Sequence, residues 1–247
     1  MTDRSYPEVS HNPDFPAILI SGSPAYQTEV VRILDHIRAH SRIGAFIIDS
    51  ILLNADRNEG LRIHTRRHRP HDQRTAATTS RITGAPRGNA ADPMAHPRGG
   101  AAPTIAFDPF EWEGLGARLP DARDEVLMHE LVHCYMVQRG ISSGQRLAGS
   151  GPLGWLGSSD DVYAVLVTNV YLSECGRSGL IHQRRDPRRA PFDRRNSQSI
   201  AVDPQFRPYF TSLARHAPAL DHALHRIKTE FNPWILHPEQ PIDIYDL

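Results

Sequence analysis

The sequence predicts an α+β fold, mostly helical, with a small sheet built from N-terminal segments and one central helix that carries chemistry. Three observations point there. Short apolar runs bounded by turn residues occur at 17–20, 61–65 and 104–107, each of strand length. Apolar residues then recur at helical spacing in several longer segments. One of those segments holds His129-Glu130-Leu131-Val132-His133, framed by Val126, Leu127 and Val137.

Taken in order, residues 1–16 are polar, hold Pro7, Pro13 and Pro16, and are expected to form a flexible leader. Ala17-Ile18-Leu19-Ile20 ends at Ser21-Gly22-Ser23-Pro24, a buried strand followed by a helix start with Ser23 as N-cap and Pro24 at N1. That helix runs to about His40, with Tyr26, Val30, Ile33 and Ile37 on one face. A second apolar helix is expected from about Ile43 to Leu53, and Leu61 to Thr65 alternates as a strand does. The stretch 66–103 is rich in Arg, Ala, Thr, Pro and Gly and reads as a disordered insertion. Thr104-Ile105-Ala106-Phe107 is a strand placed to pair with an extended peptide substrate.

Pro120-Asp121 starts the motif helix, Asp121 and Asp124 suit its N-terminal end, and Gly140 is a natural C′ residue. After the glycine-rich connection from Gly144 to Gly157, Ser158-Ser159 caps a helix with Tyr163, Leu166, Val167, Val170 and Tyr171 on its apolar side. A second arginine cluster occupies 182–198. The C-terminal part carries an amphipathic helix with Leu220, Ala223, Leu224, Ile227 and Phe231, ending at Asn232-Pro233. Residues 17–247 thus read as one domain.

The central motif is chemically specific. Residues i and i+4 of a helix lie one above the other, about 5–6 Å apart, so two imidazoles can aim at one Zn²⁺. Glu130, turned aside between them, can serve as general base towards a solvent molecule that the metal activates. Random placement of the chain's His and Glu would produce about 0.03 such matches. A catalytic zinc needs a third protein ligand and an open fourth position. No further His follows at the spacing His-x-x-Gly-x-x-His, so a later carboxylate is expected. Asp160 and Asp161 are the candidates, with Asp161 preferred because Asp161-x-x-Ala164 places a small residue where two helices must approach; Glu174 is the runner-up. His182 and the tyrosines Tyr135, Tyr163 and Tyr171 are candidate donors to a developing oxyanion.

Composition narrows the class further. The formal charge is zero, so nothing global draws the chain to nucleic acid or membrane, and neither partner is expected. Lys228 is the only lysine against 27 arginines, which fits either a GC-rich coding bias or a protein spared ubiquitination inside a eukaryotic cell. Cys134 and Cys175 offer no disulfide framework and look like small core residues. No Sec-type signal peptide and no membrane span are read at any point, and a monomer is expected. The arginine-rich segments support a competing expectation: a non-enzymatic interaction protein that grips an acidic or phosphorylated partner.

The chain resembles the bacterial effector zinc metallopeptidases of the NleD-like group, delivered by type III secretion. The likeness lies in His129-Glu130-Leu131-Val132-His133, in Thr104-Ile105-Ala106-Phe107-Asp108-Pro109 and in Asp160-Asp161-Val162-Tyr163-Ala164. It implies a zincin-like fold, a Zn²⁺ cofactor held by His129, His133 and Asp161, Glu130 as general base, and endopeptidase activity on a protein substrate. It also implies secretion without a Sec signal into a host cell, where members of the group cut signalling kinases; otherwise the bacterial cytoplasm is expected. Relatives carry Glu-Glu where this chain has Asp160-Asp161, one methylene shorter at each position.

Overall fold

The computed structural model describes residues 9–54, 60–65, 77–80, 102–110, 123–143, 147, 153, 157–177 and 197–236. The architecture is α+β: mostly helical, with one small mixed sheet. Its strands are β1 (Val9–His11), β2 (Ile18–Ser21), β3 (Leu61–His64), β4 (Ala77–Ser80) and β5 (Thr104–Phe107), in the spatial order β1-β2-β3-β5-β4. The three central strands run parallel, and an antiparallel strand closes each side.

Period-2 patterning gives the sheet its buried face. Ile20 lies beside Ile63 and Ile63 beside Ile105, so three branched side chains form one row across β2, β3 and β5. Helix α1 (Pro24–His40) begins as its sequence predicts, with Ser23 Oγ accepting from Tyr26 N. It buries Tyr26, Val30, Ile33, Leu34 and Ile37, and the Tyr26 hydroxyl donates to the Phe107 carbonyl at 3.1 Å, tying helix to sheet. Ser41 then caps α2 (Arg42–Leu53). The turn is tight because Gly44 meets the Ile37 carbonyl where any Cβ would collide.

Helix α3 (Arg123–Gln138) holds the histidine motif and is buried continuously from Glu130 to Gln138, as befits a central element. It ends as expected: Gly140 takes a φ of 68°, and Ile141 N reaches back to the Met136 carbonyl at 3.0 Å. Helix α4 (Ser159–Glu174) packs along α3, and α2 touches α1, α3 and α4. The remaining elements are α5 (Ser197–Val202), α6 (Arg207–His216), α7 (Pro218–His225) and a 3₁₀ turn at Pro233–Leu236. Among the described residues no helix is long and apolar enough to cross a membrane.

Four expectations need correction. The polar leader stops short of residue 16: Val9–His11 pairs with β2, and Phe15 is fully buried. Proline content marks this segment as open chain, but one edge strand and one aromatic anchor outweigh it. Within 66–103, Ala77–Ser80 forms the edge strand β4, while most of that segment lies outside the described residues. β5 is flanked by β3 and β4, so its backbone is committed on both sides and cannot pair with a substrate. The C-terminal helix ends at His225 rather than Asn232: Arg226 N folds back to Ala223, and Ile227 to Leu224, in a tightened last turn. Asn232 then caps that end through Nδ2, which donates to the Leu224 and Ile227 carbonyls at 2.7 and 2.8 Å.

Candidate metal centre

Helices α3 and α4 run antiparallel, and each end is fastened by polar contacts. At one end Asp160, fully buried, accepts from Ser142 Oγ at 2.7 Å and from Ser143 N at 3.1 Å, just beyond the last turn of α3. At the other end Asp124, in the first turn of α3, accepts from the Tyr171 hydroxyl and from both terminal nitrogens of Arg177. His129 and His133 face Asp161 between these two fastenings.

The three side chains converge. Nε2 of His129 and Nε2 of His133 are 3.2 Å apart. Asp161 Oδ1 lies 3.4 Å from the His133 nitrogen and 3.9 Å from the His129 nitrogen. The two rings meet edge-on, with centroids 4.9 Å apart and planes at 73°. These separations leave a point about 2 Å from all three atoms, the length of a Zn–N or Zn–O bond. Among the described residues this is the cluster of His, Cys, Asp or Glu able to hold a metal ion. Two imidazoles and a carboxylate are also the donor set zinc favours when one position is left open. The residues therefore fit the metal that the sequence suggests.

Electrostatics agree with that fit. Burial, reinforced by the neighbouring charge of His133, lowers His129 to about 3, so its ring is neutral. Burial also opposes charge on His133, but its hydrogen bond to Asp161 and the nearby Glu130, Asp161 and Asp160 carboxylates prevail and raise it. Burial would raise Asp161; the His133 and Ser158 hydrogen bonds overcome this and lower it to about 2. Two ring nitrogens and an ionised oxygen thus share one small space, an arrangement that a bound cation would satisfy.

Ser158 is the residue that sequence reasoning missed. In the sequence it reads as a cap alone, and it does cap α4, accepting from Asp161 N at 3.2 Å. The same hydroxyl donates to Asp161 Oδ2 at 2.5 Å, so one carboxylate oxygen is held and the other is turned to the histidines. The signal is legible, since Ser158-x-x-Asp161 is a capping-box spacing whose acid here points into the site. Glu130 follows His129 on α3 and is 8% exposed.

The alternatives for the third arm are placed elsewhere. Asp160, one residue before Asp161, is engaged by Ser142 and Ser143. Glu174 sits at the far end of α4 and caps α2, accepting from Ser41 Oγ at 2.6 Å and Ile43 N at 3.0 Å. The Tyr163 hydroxyl donates to the Tyr209 carbonyl at 3.2 Å, that of Tyr171 to Asp124, and Tyr135 is buried beneath Arg139. His182 lies outside the described residues. Comparison with protein-family models, curated proteins and solved structures finds no match to this chain.

Asp160 is expected to set where α4 stands. An Asp160→Ala variant leaves the buried Ser143 N–H without its acceptor, at a cost of about 2 kcal/mol. Chemical denaturation should show that loss, with a smaller one for Asp160→Asn, which keeps an oxygen for the amide. Wild-type stability in the alanine variant would contradict this role.

Proposed function

We propose that this chain is a zinc-dependent endopeptidase of the zincin type, hydrolysing peptide bonds of a protein substrate. The supporting observation is the meeting of His129 Nε2, His133 Nε2 and Asp161 Oδ1 around one point at zinc bonding range, with Glu130 next to His129 on the same helix. When bound, zinc would supply Lewis-acid polarisation of the scissile carbonyl and a solvent nucleophile usable near neutral pH. The chain's own residues supply the rest. His129 would donate its neutral Nε2 lone pair. His133 would do so on giving up the proton that the neighbouring carboxylates favour on its ring. Asp161 would contribute one negative charge through the oxygen that Ser158 leaves free. The Glu130 carboxylate takes a proton from the attacking water and returns it to the leaving amine. Delivery from a bacterium into a host cell, with a signalling kinase as substrate, is the further extension of this proposal that the resemblance suggests.

Metal analysis of purified protein tests the proposal at its base. Wild type should carry one zinc per chain, and His133→Ala should carry almost none while keeping its helical circular-dichroism spectrum. An absence of zinc from wild type, after purification with zinc present, would remove the proposal.

A further inference from the structure

A cleft of about 760 Å³ opens where α1 turns into α2, beside the end of α4 and the chain that follows α7. Glu174 at this cleft lies thirteen positions along α4 from Asp161, a distance of about 20 Å. The cleft is therefore a separate place on the molecule, and a ligand bound in it would be independent of the zinc proposal.

Its lining is rich in positive charge. Arg38, His40, Arg42, Arg226 and Lys228 surround the single carboxylate of Glu174. That carboxylate is already spent on the start of α2, through Ser41 Oγ, Arg42 N and Ile43 N. Arg38 is paired with Asp49 at 2.9 Å. Arg42, Arg226 and Lys228 are exposed and have no ion-pair partner among the described residues. Three unpaired cations against the one carboxylate of Glu174 leave a net positive charge on one concave surface, which focuses a positive potential into it. Guanidinium forks match phosphate oxygens two at a time, and an ammonium adds a compact point charge.

The shape and lining narrow the ligand. The volume suits a small molecule. Among the described residues that line it, the apolar contribution is only Ala39 and Ala45, and the one ring, the His40 imidazole, is already stacked on His36 with centroids 4.2 Å apart. Recognition would rest on charge. We propose that this cleft binds a small, multiply phosphorylated compound through Arg42, Arg226 and Lys228, gripping its phosphate groups rather than any ring attached to them.

Because Lys228 is the only lysine, reductive methylation with ¹³C-formaldehyde labels one side chain in the full-length protein and keeps its charge. Tripolyphosphate, titrated at physiological ionic strength, should shift that resonance saturably. Arg42→Gln and Arg226→Gln should each weaken binding about ten-fold and leave zinc content unchanged. ATP should bind no more tightly than tripolyphosphate. A Lys228 resonance that stays fixed up to millimolar tripolyphosphate would overturn the proposal, even if calorimetry detected binding, because the ligand would then sit elsewhere. Equal binding of citrate would overturn the phosphate assignment, and much tighter binding of ATP would overturn recognition by phosphate alone.

Discussion

Under the proposed zinc-endopeptidase function, Glu130→Gln is expected to bind zinc as the wild type does and lose peptide-bond cleavage by about 10²–10⁴-fold. The amide is nearly isosteric with the carboxylate, so helix α3 should hold its shape, and His129 and His133 should stay where they are. What disappears is a group able to accept a proton. Glu130 is 8% exposed, so bulk buffer has little access to replace it at that position. The measurement pairs metal content with single-turnover cleavage of a protein substrate. Retained zinc with unchanged cleavage would eliminate Glu130 as the base, and loss of both would reassign it to holding the helix together.

The second large effect concerns stability. Asp124 is 6% exposed and accepts from Arg177 Nη1 at 3.0 Å, from Arg177 Nη2 at 2.5 Å and from the Tyr171 hydroxyl, with His36 Nε2 at 3.7 Å. The environment registers this. Burial, then the Asp124 charge, drives the Tyr171 hydroxyl far above its ordinary range. Burial would ease Arg177 towards neutrality, yet the Asp124 hydrogen bond outweighs it and raises Arg177. Asp124→Ala leaves a half-buried guanidinium and a buried hydroxyl without their common partner, a loss of about 3 kcal/mol. For a chain of this size that lowers the melting temperature by about 6–12 °C. Tyr171→Phe removes one hydrogen bond and should cost about 1–2 kcal/mol. A melting temperature for Asp124→Ala equal to that of Tyr171→Phe would show that the Arg177 pairing contributes nothing.

Much of this is legible in the sequence where local chemistry decides the outcome. Ser23-Pro24, Ser158 and Gly140 mark helix ends because a hydroxyl cap, a fixed φ and a missing Cβ each suit one backbone position. The His129–His133 spacing requires only a helix, and α3 supplies it. The preference for Asp161 over Asp160 rests in the sequence on one small residue at Ala164; in the structure Asp161 faces the imidazoles while Asp160 accepts from Ser142. Less is legible where distant contacts decide. Nothing local says that Ala77–Ser80 pairs with Phe107–Thr104, or that β5 thereby loses its free edge. Sequence position makes Asp124 a residue favoured by the helix dipole, and only the fold brings Arg177, 53 positions away, to its carboxylate. Glu174 competes as a metal ligand in the sequence because carboxylates are interchangeable on paper; α2, 131 residues earlier, needs it as a cap.

The two anchorages of α3 against α4 have a consequence for any cation that enters between them. With Asp160 clamped to Ser142 and Ser143 at one extremity and Asp124 clamped to Tyr171 and Arg177 at the other, the helix pair is braced like a beam on two supports. The midspan, where the imidazoles face Asp161, has little slack to surrender. Much of the entropy that a floppy chelator forfeits on closing around an ion is thus lost earlier, when the polypeptide itself folds.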